Sequence, residues 1–349
     1  MIEIMLKKIK IAMVAPSFGQ TGGPEIVVKN LVNALLKRTE VDVTLFAPAD
    51  WKIKSKHIPT IPKSIWNMKG FKDQTEYFRR NLILENILKV SSYQDKFDII
   101  HLHSYRYAYA VATLLKKPCV LTLHSKITKQ EFDQMKKIGI YAVAQSKAHK
   151  KNFKTVAIIN NGIEIDKIKP SFIKGTYLIT AGRLLENKGI DLAIKIAQET
   201  KKKLLIFGRI GVGEDRQKYF HEKIKPFLND QIIYMGEASQ NKLFFYLKNA
   251  EALLFPIRAN LSICPLIVME SLACGTPVIG CRVRPFEELS EWKKVAYLSE
   301  NIDELIKATV SIEKFDRKKC REFAEKHSDS SVMADKYIKL YEKIIKNKF

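Results

Sequence analysis

No stretch of this sequence supplies the roughly 20 consecutive apolar residues that a membrane-spanning helix needs, so no span is expected. The opening MIEIMLKKIKIAMVAP places basic residues before apolar ones, as a secretory leader would. Its apolar run is short, alternating and without a small-x-small cleavage site. It reads as a first strand, and the expected location is the cytoplasm. Cysteine is scarce and unpaired: Cys119, Cys264, Cys274, Cys281 and Cys320 form no Cys-x-x-Cys spacing. That argues against a disulfide framework and a structural zinc. Neither a Gly-x-Gly-x-x-Gly fingerprint nor a Walker lysine follows the first strand, which sets aside the commonest nucleotide-binding loops. Acidic residues are also short, 37 against 60 Lys and Arg, for a net charge of +23. Such an excess attracts polyanions: phosphate-bearing substrates, an acidic membrane surface or nucleic acid. Solvated lysine-rich faces account for it equally well.

What is present is enough chain and enough apolar residues, 349 and 46%, for two domains with cores of their own. Short β-branched runs alternate with longer amphipathic stretches, as parallel sheets with crossover helices require. IKIAMVAP, VDVTLFAP, FDIIHLH, CVLTLH and YAVAQS are the runs of the first half; TYLITAG, KLLIFG, QIIYMG, EALLFP and TPVIGC are those of the second. The spacing predicts helices over Glu25–Leu36, Ile190–Ala197 and Leu266–Ala273. The periodicity breaks in Asn160–Gly175, where Asn-Asn-Gly, Pro and scattered Lys intervene. The division is therefore residues 1–162 as a first doubly wound domain and 163–330 as a second. Residues 331–349 form an amphipathic C-terminal helix, able to pack on either domain.

The most informative segment is Phe255–Gly280. A strand end at Phe255-Pro256 leads to Pro265, which suits a first helical turn because no amide is needed there. The helix starts near Leu266 and Ile267 and stops before Gly275. Its free amides and positive end face the carboxyl edge of the sheet, where an anion is stabilised. Glu270, one turn in, is placed to reach a hydroxyl near that anion; the plainer reading is an exposed helix carboxylate. This segment resembles the retaining glycosyltransferases of family 4, whose pattern is two glutamates separated by seven intervening residues and followed by Ala-x-Ala-x-Gly-x-Pro-Val or a close variant. Glu270-Ser271-Leu272-Ala273-Cys274-Gly275-Thr276-Pro277-Val278 fits its second half. The resemblance implies an α/β chain of the GT-B fold: two facing Rossmann-like doubly wound parallel-sheet domains with a central cleft. It also implies that Glu270 holds the ribose hydroxyls of a nucleotide-sugar donor. The first glutamate is replaced by Ser262, and Ile263-Cys264-Pro265 stands where Pro-Phe-Gly is common. Arg258 or Asn260 are then candidates to contact the sugar.

Thr180–Ala197 agrees independently. A strand, a glycine turn, and two cations five residues apart before a helix suit a diphosphate, Arg183 as a fork and Lys188 as a point charge. Gly182-Arg183-Leu184 with Lys188-Gly189 is similar to the family's Gly-Arg-Leu-x-x-x-Lys-Gly. Gly22 and Gly23 resemble its first glycine-rich loop, on the donor's phosphates and sugar, although a tight turn alone explains them. Thr122-Leu123-His124 sits where the family's strand-end histidine approaches the donor sugar, with His103 behind it. The implied set is His124 and Glu270 for catalysis, and Gly22, Gly23, Arg183, Lys188, Leu266, Ile267 and Glu270 for the donor. The nucleotide-diphosphate sugar is itself the substrate, and no metal or other cofactor is implied.

The acceptor is less legible. Trp51–Arg80 interleaves Trp51, Trp66, Phe71, Tyr77 and Phe78 with eight Lys and Arg. Such a mixture suits an anionic membrane surface and hence a glycan or lipid-linked acceptor, with the protein peripheral at the inner face of the cell membrane. No nucleic-acid partner is expected, although such a surface also suits one. Two rival readings stay open: a non-catalytic sugar-nucleotide-binding subunit, motivated by Ser262, and a nucleotide-sugar epimerase of the same architecture.

Overall fold

The computed structural model describes residues 8–71, 74–104, 107–125, 127–150, 154–211, 213–258 and 265–347. Ser262, with Asn260 and Cys264, lies outside the described residues. The chain divides into two compact units: Met1–Glu164 with Ser330–Phe349, and Ile165–Asp329.

The first unit carries strands β1 (Ile9–Val14), β2 (Val41–Ala47), β3 (Lys56–Pro59), β4 (Ile99–Leu102), β5 (Cys119–Thr122), β6 (Tyr141–Ala144) and β7 (Ala157–Ile158). They form one sheet in the order β3-β2-β1-β4-β5-β6-β7, every pairing parallel. Helices α1 (Gly23–Leu35), α2 (Glu76–Leu88), α3 (Ala108–Ala112), α4 (Lys129–Lys137) and α5 (Lys147–Lys150) connect them. In the second unit, strands β8 (Leu178–Ala181), β9 (Leu204–Phe207), β10 (Ile232–Gly236), β11 (Ala252–Phe255), β12 (Val278–Gly280) and β13 (Ala296–Leu298) run in the order β10-β9-β8-β11-β12-β13, again all parallel. Its helices are α6 (Ile190–Glu199), α7 (Glu214–Lys223), α8 (Gln240–Asn249), α9 (Leu266–Ala273), α10 (Arg284–Glu287), α11 (Ile302–Val310) and α12 (Arg317–Ser328).

The continuous apolar runs follow from the layers. β4, β5, β9 and β11 are buried along their whole length, because helices cover both faces of a parallel sheet. In each unit the first strand is central and the winding reverses beside it, between β1 and β4 and between β8 and β11. Ligands of open α/β sheets bind at such switch points, beyond the carboxyl ends of the strands. The loops after β1, β4, β8 and β11 are thus the ones that position chemistry.

The last helix, α13 (Ser330–Ile345), belongs to the first unit and packs on α1. Tyr337 and Tyr341 are fully buried on its inner face. The Tyr341 hydroxyl meets His101 Nδ1 at 2.7 Å, and that of Tyr337 meets Thr122 Oγ1 at 2.5 Å. Arg38, after α1, pairs with Asp335 at 2.8 Å.

The Trp51–Arg80 segment is less of a surface than its composition suggests. Trp51 is buried, and Phe71 packs against the core. Lys56–Pro59 becomes the edge strand β3, with Lys56 paired to Asp42 at 2.7 Å. Tyr77 and Phe78 remain exposed in the first turn of α2, beside Arg79 and Arg80. Among the described residues, no helix is long and apolar enough to cross a membrane.

Candidate active site

Arg183 and Lys188 both lie on the loop leaving β8, at the switch point of the second unit. Between them Leu184 is fully buried and bridges to Ile210, so the loop is pinned at its middle. Arg183 is exposed and Lys188 half-buried. Neither side chain enters an ion pair or hydrogen bond among the described residues. Burial pushes the Lys188 ammonium below its ordinary range, and the Arg183 charge adds to the shift. A site where burial and a neighbouring positive charge disfavour the Lys188 ammonium gains from binding an anion.

This loop is knitted to the one leaving β11. The Arg258 amide donates to Asn187 O at 3.0 Å, and its guanidinium donates to Glu186 O at 3.0 Å. The same guanidinium grips Asp191 in a fork, at 2.7 and 2.6 Å. The Tyr219 hydroxyl donates to Asp191 Oδ1 at 2.7 Å. Burial alone would raise the Asp191 carboxyl, but these hydrogen bonds hold it below the ordinary range. Arg258, a candidate sugar contact in the sequence, is thus occupied as a brace, and the sequence carried no mark of its partner. Gly189 closes the loop in the left-handed region, φ 65°, where a Cβ would stand 1.9 Å from Pro256 O. Gly189→Ala is expected to cost about 1–2 kcal/mol in backbone strain alone and to displace the Lys188 ammonium. Calorimetry should show the Ile165–Asp329 unit melting earlier and nucleotide binding weakened together.

Glu270 stands on α9, which follows β11. It is 5% exposed, and Gln240 Nε2 donates to its Oε1 at 3.1 Å. Burial raises its carboxyl above the ordinary range, and the Gln240 bond partly offsets this. The exposed-carboxylate alternative therefore fails. Leu266 and Ile267 head α9, half-buried, with Pro265 preceding and no side chain capping the helix. Arg321 donates to Ala273 O at 3.0 Å at the other end, fixing the helix from α12.

In the first unit, Gly22 is the N-cap of α1 and Gly23 its first residue, both at the carboxyl edge after β1. Space around Gly23 is open, but a Cβ on Gly22 would lie 2.1 Å from Glu25 Oε2. Glu25 is buried, and burial pushes its carboxyl up to about 7 against the pull of its own backbone hydrogen bond. Sequence reasoning took Glu25 only as the start of a helix. The signal available was an acid immediately after Gly-Gly-Pro.

His124, at the end of β5, is bound at both nitrogens: Nε2 meets His103 Nδ1 at 2.8 Å, and Nδ1 meets Gln145 Nε2 at 2.9 Å. His103 Nε2 meets Met13 Sδ at 3.1 Å. Burial pushes His124 down to about 3, helped by the nearby His149, and holds His101 and His103 well below their ordinary range. All three rings are neutral, so a role for His124 is one of position and dipole rather than proton donation. Gln145 was not read from the sequence, where it is one residue of an apolar run. Among the described residues, no three His, Cys, Asp or Glu are grouped to hold a metal ion.

Residues 163–328 match the family model of glycosyl transferases group 1, and residues 21–167 that of glycosyltransferase family 4. No curated protein matches the chain in sequence. Among solved structures, sucrose-phosphate synthase from Thermosynechococcus elongatus is similar with a TM-score of 0.75 at 15% identity, over 97% of this chain and 100% of that one. The Anabaena protein HepE, solved with UDP and glucose, gives 0.73 at 16%, over 96% and 100%. The lipopolysaccharide outer core galactosyltransferase WaaB gives 0.62 at 16%, over 98% and 100%. These likenesses establish the GT-B fold.

Proposed function

We propose, from the premise that the chain belongs to the group 1 glycosyltransferases of family 4, that it moves a sugar from a nucleotide-diphosphate sugar to a glycan or lipid-linked acceptor with retention of configuration. The observation that carries this reading is the pair of cations Arg183 and Lys188, without an ion-pair partner among the described residues, at the switch point between β8 and β11. As the sugar bond breaks, negative charge grows on the departing diphosphate. A guanidinium fork and an ammonium carried on a loop pinned at Leu184 stabilise that charge. The amides heading α9 add the positive end of a helix, and Glu270 accepts from the ribose hydroxyls. Because the two cations take the part of a charge clamp, the reaction requires no divalent metal. The transferred group is a hexose destined for cell-surface polysaccharide or glycolipid. HepE with UDP and glucose and WaaB by its name support that direction. The exposed Tyr77 and Phe78 beside Arg79 and Arg80 support peripheral contact with an anionic membrane.

The test is thermal denaturation of the whole chain with UDP-glucose, GDP-mannose and ADP-glucose, followed by assay of nucleoside diphosphate release. A bound donor at 100 times its Kd stabilises by about 2.7 kcal/mol, so one of the three is expected to raise Tm by several degrees and to be consumed when acceptor is added. Stabilisation with no transfer to any glycan would instead favour a non-catalytic subunit; epimerisation without acceptor would favour the epimerase.

A further inference from the structure

The hydrogen-bond row through His103 and His124 has a direction. A thioether sulfur has no proton to give, so the ring nitrogen facing Met13 Sδ, His103 Nε2, carries one. The ring is neutral, so His103 Nδ1 is bare and accepts from His124 Nε2–H at 2.8 Å. His124 Nδ1 is then bare in turn and accepts from the Gln145 amide nitrogen at 2.9 Å. Turning the carboxamide over would reverse every proton and leave two acceptors, His103 Nε2 and Met13 Sδ, 3.1 Å apart with nothing between them. The sulfur of Met13 therefore fixes which way Gln145 points.

The consequence falls on Gln145 Oε1. The residue is 1% exposed, and this oxygen has no hydrogen-bond partner among the described residues. Its other groups are engaged: the amide meets His149 Nδ1 at 3.5 Å, and the carbonyl accepts from Asn160 at 3.0 Å. A buried carbonyl left without a donor is costly, and the row of rings prevents it from rotating to find one. It stands directly beyond β6, next to His124 beyond β5, on the carboxyl edge where parallel sheets receive ligands. Ser125 Oγ, beside His124, is likewise buried and unpartnered.

We infer that Gln145 Oε1 accepts a hydrogen bond from a hydroxyl of a substrate sugar, and that the His124, His103 and Met13 row holds it in the accepting orientation. Gln145 is on this account a specificity-determining residue. It reads a hydroxyl and rejects a substrate that offers an acceptor or a deoxy carbon at that position. The inference rests on the glycosyltransferase reading, since it supplies the sugar.

The experiment uses the whole chain with 15N-labelled histidine. Long-range proton–nitrogen spectra should show His103 and His124 as neutral Nε2–H tautomers from pH 6 to 8; Nδ1–H tautomers would overturn the inference. Gln145→Leu keeps the bulk and removes the oxygen, as does the near-isosteric Gln145→Met, which serves if the leucine variant does not fold. Gln145→Glu, followed by the same spectra, replaces the amide donor with an acceptor, so His124 should acquire a proton on Nδ1. The leucine and methionine variants are then titrated with UDP-glucose, GDP-mannose and ADP-glucose against UDP, GDP and ADP. The methyl glycosides of glucose, galactose and mannose are titrated alongside. The nucleoside diphosphates should bind as in the parent, while either a sugar nucleotide or a methyl glycoside loses tenfold or more in affinity. The first outcome places the hydroxyl on the donor, the second on the acceptor. Unchanged affinity for every sugar in a folded Gln145→Leu would mean that the oxygen faces a buried water only, and the inference fails. Were the nucleotide-sugar reading on which it rests wrong, no nucleoside diphosphate would bind the parent protein, which separates the two failures.

Discussion

Changing Arg183 and Lys188 together to alanine is expected to reduce sugar transfer by about 10⁴-fold or more and to erase stabilisation by nucleoside diphosphate. Loss of one preorganised group facing developing charge costs roughly 10²–10³ in rate, and both groups here face the same diphosphate. The unliganded protein should behave in the opposite sense. Among the described residues neither side chain makes an ion pair or hydrogen bond, and Lys188 is held below its ordinary range by burial and by Arg183. Removing them discards a partly desolvated ammonium and the like charge beside it, so the Tm without ligand should hold or rise slightly. A structural role would show the reverse, a lowered Tm with nucleotide binding kept. The single change Arg183→Ala should also raise the Lys188 pKa, because one of the two causes of its depression is gone.

A pH-dependent gain in stability is expected of Glu25→Gln. Burial raises the folded-state pKa of Glu25 to about 7 against an ordinary value of 4.5. The folded protein therefore binds the proton more tightly than the unfolded chain does. Below pH 4.5 the group is protonated in both states and costs nothing. Between 4.5 and 7 the folded state loses stability as pH rises, and above 7 the whole penalty is present. At 1.36 kcal/mol per pK unit the ceiling is about 3 kcal/mol. Glu25→Gln should leave the melting of the first unit unchanged at pH 4 and raise it by several degrees at pH 8. A variant that melts earlier at pH 8 would show that the carboxylate form is the one the fold needs. An acid retained at such a cost beside Gly22 has the character of a functional group, and transfer by the variant is expected to fall even as stability rises.

Much of this was legible in the sequence because burial on both faces writes β9 and β11 as unbroken apolar runs and β4 and β5 as nearly so. The ends of α9 were legible because Pro265 and Gly275 bound it. The short strands β3, β7 and β13 were not. Lys56–Pro59 carries a proline and alternates without a clean apolar face, and Ala157–Ile158 is two residues long. Of the candidate site, Arg183, Lys188 and Glu270 stood out because their loops have fixed spacings from strand to helix. Glu25 and Gln145 did not, since what distinguishes Glu25 is its burial, and Gln145 its burial and a partner 21 residues away. The Arg258 fork on Asp191 spans 67 residues, and the direction of Gln145 is set by Met13 through two rings. No local pattern encodes either contact.

The central claim is that the second unit holds a diphosphate through Arg183 and Lys188. Titration calorimetry of the unaltered protein with UDP, GDP and ADP against UMP, GMP and AMP tests it most directly. The account predicts that one base is bound, and that its diphosphate binds at least about 100-fold more tightly than its monophosphate, a difference of roughly 2.7 kcal/mol. Equal affinity for the two, or no binding of any diphosphate, would contradict it.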